Sequence, residues 1–179
     1  VVSRTSPKVI FDVGANVGDW TDYALENTQA EIHCFELAPP IFETLQKRFA
    51  NENRVKLNAV GLSDENTEID VRFAASNIGV TTGIIDKKIH DDAYKVIKGD
   101  VIAGDTYTED HNIDHVDFIK IDVEGMEMHV LKGLAAALSS QSVNVLQFEY
   151  GMANIYSRYL LKDFHEFFES YGYVVGKVM

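Results

Sequence analysis

Asp12, Gly14, Asn16 and Gly18 fall within DVGANVG, directly after the apolar run VIF and before a segment of helical period. A glycine-rich turn between a strand and a helix brings the backbone, its N–H groups and the helix N-terminus to a ligand at the carboxyl edge of a sheet. Dinucleotide turns read G-x-G-x-x-G, and the middle glycine clears room for a pyrophosphate. Here Ala15 and Asn16 stand between glycines four apart, and Asp12 adds a carboxylate that repels a diphosphate and attracts an ammonium group. Glu36 ends EIHCFE, 18 residues past Gly18, where an acidic residue accepts hydrogen bonds from a ribose diol.

A second group of chemical residues lies in DFIKIDVEG. Lys120 and Asp122 are charges inside an apolar run, where a central parallel strand covered on both faces requires compensation. In an extended strand Lys120, Asp122 and Glu124 point to one side, and VNVLQFE ends with Gln147 and Glu149 on one side of its own. These carboxylates are expected to meet near the first turn. Lys120 reads as part of a buried charge network that orders the strand end, whereas Asp122, Glu124 and Glu149 are candidates for a general base. Grouped oxygen ligands also suit Mg²⁺ or Ca²⁺, so a divalent cation stays open as an alternative.

Positioning these residues requires a parallel sheet with helices on both faces, and short apolar runs alternating with helical periodicity supply it. Strands are predicted at 8–13, 31–36, 55–59, 117–122, 143–149 and 172–178, and helices at 18–28, 39–51, 126–139 and 160–171. The stretch 60–116 breaks that rhythm. EIDVRF alternates as a half-exposed strand and a β-rich piece follows around 94–103, which predicts an antiparallel insertion. The 179 residues suffice for one domain, 1–179. A formal charge of −12 argues against a nucleic-acid partner. No window is apolar enough to span a membrane, and VVSRTSPK lacks a signal-peptide core. Cys34, the single cysteine, reads as a buried thiol in a reducing, cytoplasmic compartment.

A nucleoside that carries an ammonium group and no phosphates is S-adenosylmethionine. DVGANVG and FELAPP resemble the first two cofactor motifs of class I methyltransferases, and NAVGLSDE with DFIKIDVEGMEMHVLKG closely resembles the FkbM family. The resemblance covers roughly 8–150 and is weak between 74 and 104. It implies an α/β, Rossmann-like three-layer sandwich, S-adenosylmethionine as donor, and O-methylation of a hydroxyl on a sugar, glycan or natural product. The expected cofactor-binding residues are Asp12, Gly14, Ala15, Asn16, Gly18, Thr21, Glu36, Leu37, Ser63, Asp64 and Asp122; Asp122, Glu124 and Glu149 are the expected catalytic ones. A nicotinamide-dependent oxidoreductase and a non-catalytic nucleoside-binding module are the alternatives. Class I sheets usually add a seventh, antiparallel strand after the sixth, which this chain does not reach: either it is cut short or the strand is missing.

The remaining features carry less. His111 and His115 have i, i+4 spacing but read as surface, as does His129. The aromatics of DFHEFFESYGY read as helix packing, while Tyr150, Tyr156 and Tyr159 are candidates for an acceptor pocket. The segment 74–104 is expected to be either a lid on the acceptor side or a hairpin over a sheet edge.

Overall fold

In the computed structural model, which describes residues 2–74, 81–82 and 94–177, a short 3-10 helix (Val2–Arg4) is followed by β1 (Val9–Val13), α1 (Asp19–Asn27), β2 (Glu31–Phe35), α2 (Pro39–Arg48) and β3 (Val55–Asn58). An insertion follows: β4 (Gly61–Ser63), β5 (Thr67–Ala74), β6 (Thr81–Thr82) and β7 (Tyr94–Ala103). The scaffold then resumes with α3 (Gly104–Asp110), β8 (Val116–Ile121), α4 (Glu127–Lys132), α5 (Ala135–Ser139), β9 (Val143–Phe148), α6 (Ala153–Ser157) and α7 (Leu161–Ser170).

The main sheet has the order β3-β2-β1-β8-β9 with every pair parallel. Ile10, Ile32, Cys34 and Phe118 pack on one face with Ala24 of α1 and Leu45 of α2. Phe11, Phe35, Ile119 and Ile121 pack on the other with Leu131, Leu138, Phe164 and Phe168 from α4, α5 and α7. This is the expected three-layer α/β sandwich. The order reverses between β1 and β8, so their carboxyl ends splay open there, and both chemical motifs sit at that point. The expected antiparallel insertion is present as a second sheet, β4-β7-β5-β6, in which β5 pairs antiparallel with both β6 and β7. Gly61 and Gly99 leave the space that Leu37 fills between the two sheets.

Two elements depart from the sequence expectation. Residues 173–177 form no strand, although GYVVGKV alternates. Val174 is 96% exposed, and the segment meets β9 through the Tyr173 hydroxyl, which donates to the Val143 carbonyl at 2.7 Å, rather than through a backbone ladder. The helix expected over 126–139 is broken between α4 and α5. A Cβ on Gly133 would stand 1.8 Å from the Ser63 carbonyl oxygen, so the chain there lies directly on β4. Asp105 seals the break by accepting from the Ala136 and Ala137 N–H groups at 2.7 and 3.0 Å. Of the segment 74–104 expected to form a lid or hairpin, residues 75–80 and 83–93 lie outside the described residues.

Candidate active site

The DVGANVG turn is shaped by its neighbours. Gly14 has φ 79°, and a Cβ there would lie 1.9 Å from the backbone oxygen of Asp122. Asn16, at φ 51°, occupies the left-handed region that asparagine tolerates, and its Oδ1 accepts the Val17 N–H at 2.7 Å. The N–H groups expected to face a ligand are instead taken up by protein. Gly14 and Ala15 both donate to the Phe35 carbonyl at 3.0 Å, Asn16 donates to Glu36 Oε2 at 3.0 Å, and Gly18 donates to the Ala15 carbonyl at 2.9 Å. The end of β2 runs beside the turn and consumes its donors, so a diphosphate finds these N–H groups already bonded.

Glu36 is almost wholly buried; its Oε1 accepts the Ala38 N–H at 2.8 Å. Burial pushes its carboxyl up, more than the Ala38 and Asn16 hydrogen bonds pull it down. Each oxygen still has a second acceptor position.

A cavity of about 530 Å³ opens at the switch point. Glu36 stands among apolar walls formed by Leu37, Leu62 and, from the insertion, Ile69, Val71 and Val101. Gly14, Ala15, Asn16, Ser63, Asp122, Glu124 and Glu149 complete the predicted residues on its lining. Asp12, Gly18, Thr21 and Asp64 are not part of that lining. Asp12 is fully buried beneath the turn and accepts the Thr21 hydroxyl at 2.7 Å, because its side chain enters the layer between sheet and α1. Gly18 packs against Phe49 and Leu45. Asp64 accepts from His129 Nδ1 at 3.0 Å; burial raises its carboxyl, but the histidine outweighs that and holds it low. His129 thus has a partner that sequence reasoning did not supply. Tyr150, Tyr156 and Tyr159 also lie off the cavity: the Tyr150 hydroxyl accepts the Leu161 N–H, and Tyr159 accepts from Lys132.

The KIDVEG segment brings the acidic groups together. Register places Asp12 of β1 opposite Lys120 of β8, and Lys120 opposite Gln147 of β9. Lys120 Nζ stands 3.4 Å from Asp12 Oδ1 and 3.3 Å from Asp122 Oδ2. Burial would lower the Lys120 ammonium, but the two carboxylates outweigh it and raise it. Glu149 lines the cavity with Asp122, and hydrogen bonding to Asp122, with the charge of that carboxylate, pushes its carboxyl up to about 7. Glu124 is raised chiefly by burial, then by Asp122 and Glu127. Among the described residues no cluster of three or more His, Cys, Asp or Glu is arranged to hold a metal ion. Cys34 is buried beside Thr21, and desolvation pushes its thiol far above the reactive range.

Glu127 and Asn154 are the residues that sequence reasoning missed. Glu124, at φ 51°, puts the turn in a strained conformation, and buried Glu127 braces it: Oε1 accepts the Val123 and Gly125 N–H groups at 3.3 and 3.0 Å, and Oε2 accepts the Asn154 side chain at 2.9 Å. The available signal was an acidic residue two places after the glycine of the turn that follows a strand, a position suited to bond the turn's own N–H groups. Glu127→Ala leaves buried donors unpaired and is expected to cost about 1–3 kcal/mol by urea denaturation; a loss below about 0.5 kcal/mol would mean that the turn holds itself.

The family model for the Methyltransferase FkbM domain matches residues 12–175. The hexuronic acid methyltransferase AglP of Haloferax volcanii is 30% identical over 148 residues, 80% of this chain and 57% of that protein. Methyltransferase 1 of Beauveria bassiana is 29% identical over 143 residues, 70% of this chain and 57% of that protein. The chain therefore spans less than two thirds of the length of these relatives. A crystal structure from Clostridium thermocellum, assigned as an rRNA-methylase, superposes with a TM-score of 0.53 at 11% identity, over 94% of this chain and 74% of that one, and shares the fold.

Proposed function

The chain belongs to the FkbM family of methyltransferases, and from that premise we propose that it transfers the methyl group of S-adenosylmethionine to a hydroxyl oxygen of a sugar or related small molecule. The observation that carries this reading is the Asp122–Glu149 pair on the wall of the cavity that also contains Glu36. An acceptor that enters as a carboxylate needs no base and is repelled here. A hydroxyl must lose a proton, and a carboxyl near 7 is suited to take it.

The cavity fits the cofactor. Glu36 offers the remaining acceptor positions of a buried carboxylate to a ribose diol, and the apolar walls suit a base. The occupied N–H groups of the turn disfavour the nicotinamide alternative, whose diphosphate would need them. When bound, S-adenosylmethionine supplies an already activated methyl group, so the protein's work is alignment, exclusion of water and removal of one proton. In this reading Glu149 accepts the proton at a carboxylate oxygen, Asp122 orients it, and Glu124 flanks the acceptor. The acceptor is not a nucleic acid, given the −12 charge. The Haloferax relative is named for a hexuronic acid, a sugar that carries both hydroxyl groups and a carboxylate, so the uronates in the screen below separate the two kinds of acceptor.

A screen with methyl-labelled cofactor over neutral glycosides, polyols, uronates and oligonucleotides tests the acceptor. Label in an ether linkage of a neutral hydroxyl compound is expected; label only in a methyl ester or in nucleic acid would overturn the reading. For the cofactor, Glu36→Gln turns an amide N–H₂ toward the backbone N–H of Asn16 or Ala38 and removes a charged acceptor. Calorimetry is expected to show binding weakened by about 10- to 150-fold, the equivalent of about 1.5–3 kcal/mol. Unchanged affinity would take Glu36 out of the ribose site. Among the described residues no helix is long and apolar enough to cross a membrane.

A further inference from the structure

Asp12, Lys120, Asp122 and Glu149 form a chain of charges that starts under the sheet's end and finishes at the cavity. Asp12 is fully buried; Oδ2 accepts from Thr21, and Oδ1 is without a hydrogen bond, so the Lys120 ammonium 3.4 Å away neutralises it through charge. The Lys120 side chain is 12% exposed, lies over the Trp20 ring at 5.9 Å, and reaches Asp122 Oδ2 at 3.3 Å. Asp122 and Glu149 lie together on the cavity lining, and Asp122 is the largest cause of the raised Glu149 carboxyl.

We propose that Lys120 is a positioning residue for the base: clamped from below by buried Asp12, its ammonium fixes the Asp122 carboxylate against Glu149 and offsets the charge of the pair, so that the pair can release its shared proton and act on an acceptor. The alternative role, a neutral brace between β1 and β8, needs one carboxylate; Lys120 touches two, and the second belongs to the cavity wall. Among the described residues the other charged groups that act on Glu149 are acidic: Glu124 from the turn after β8 and Glu127 from α4 both favour retention of the proton. Lys120 is the cation that opposes them within this set, paired to the Asp122 carboxylate that acts on Glu149. Asp12 prevents the ammonium from swinging out toward solvent. The pair therefore adjusts the base through Asp122, and Lys120 itself also reaches the cavity lining.

This inference rests on the reading of Glu149 as base, and its test needs no acceptor. In protein carrying ¹³C-labelled carboxyl groups, the Glu149 resonance, assigned through Glu149→Gln, is followed from pH 4 to 9. The pair titrates as a unit, so its upper midpoint is the quantity read. Lys120→Met alone would leave the Asp12 charge buried and unpaired, so the double variant Asp12→Asn/Lys120→Met is used, which removes both charges at similar volume. Its upper midpoint is expected about one pH unit above wild type, because the nearer of the two removed charges is the cation. Lys120→Arg, which keeps the charge, is expected within about 0.3 of wild type. A double variant that is folded by its thermal transition yet titrates as wild type would overturn the proposal, as would Lys120→Arg displaced as far as the double variant. Loss of methyl transfer to every hydroxyl acceptor, with these midpoints as expected, would instead overturn the proposed function and leave the Lys120 coupling standing.

Discussion

Glu149→Gln is expected to lower turnover by about a hundred- to ten-thousand-fold, the range for removal of a general base, while cofactor affinity stays within about twofold. The amide keeps the volume and can still bond Asp122, so the geometry of the site survives and only proton acceptance is lost. In the wild type Glu149 must be ionised to act, so the rate should rise with pH through about 7, the value to which Asp122 pushes it. The stability consequence has the opposite sign. A carboxyl raised in the folded state binds its proton more tightly there than in the unfolded chain, so its contribution is complete below its ordinary range and is lost as pH rises through about 7. Glu149→Gln removes that loss, and its thermal midpoint should exceed wild type at pH 8 and equal it at pH 4. A variant with full turnover would end the case for Glu149 as base.

The opposed requirements at Glu149 explain which parts of the site were legible in sequence. Charges in an apolar run, Lys120 and Asp122 in DFIKID, cannot be placed in a central strand without partners, so their type and spacing already implied a cluster at the strand end. Parallel strands show as short, mostly apolar runs, and all five of the main sheet were foreseeable on that ground. What stayed hidden depends on contacts between distant segments. The break between α4 and α5 follows from Ser63 lying against Gly133, and neither residue signals the other. Glu127 looks like any acidic helix residue until the Val123 and Gly125 N–H groups are seen to donate to its carboxylate. DVGANVG lies between β1 and α1 as expected, but the N–H groups it was expected to turn toward a ligand are bonded to protein, and the backbone nearest to Gly14 is that of Asp122.

Gly14→Ala measures that difference. At φ 79° an alanine is strained, by about 1–3 kcal/mol, and its Cβ would stand 1.9 Å from the Asp122 carbonyl oxygen and 2.9 Å from its carbon, atoms of a backbone that cannot rotate away as a side chain would. Relief requires the ends of β1 and β8 to separate, against the bond from the Asp122 N–H to the Val13 carbonyl at 3.0 Å. Overpacking of this kind adds about another 1–3 kcal/mol, so a loss of about 2–6 kcal/mol is expected in urea denaturation, a large part of the stability of a domain this size. Asn16→Gly is the comparison: glycine accepts φ 51° without strain, loss of the Oδ1 bond to Val17 is a small effect, and stability should change by less than about 1 kcal/mol. If Gly14→Ala proves as mild as Asn16→Gly, the close approach of the two strand ends is not what requires glycine there. If the large loss is observed, the first glycine of DVGANVG exists to let β1 meet the backbone of Asp122, and the cofactor turn and the base are then built on a single junction.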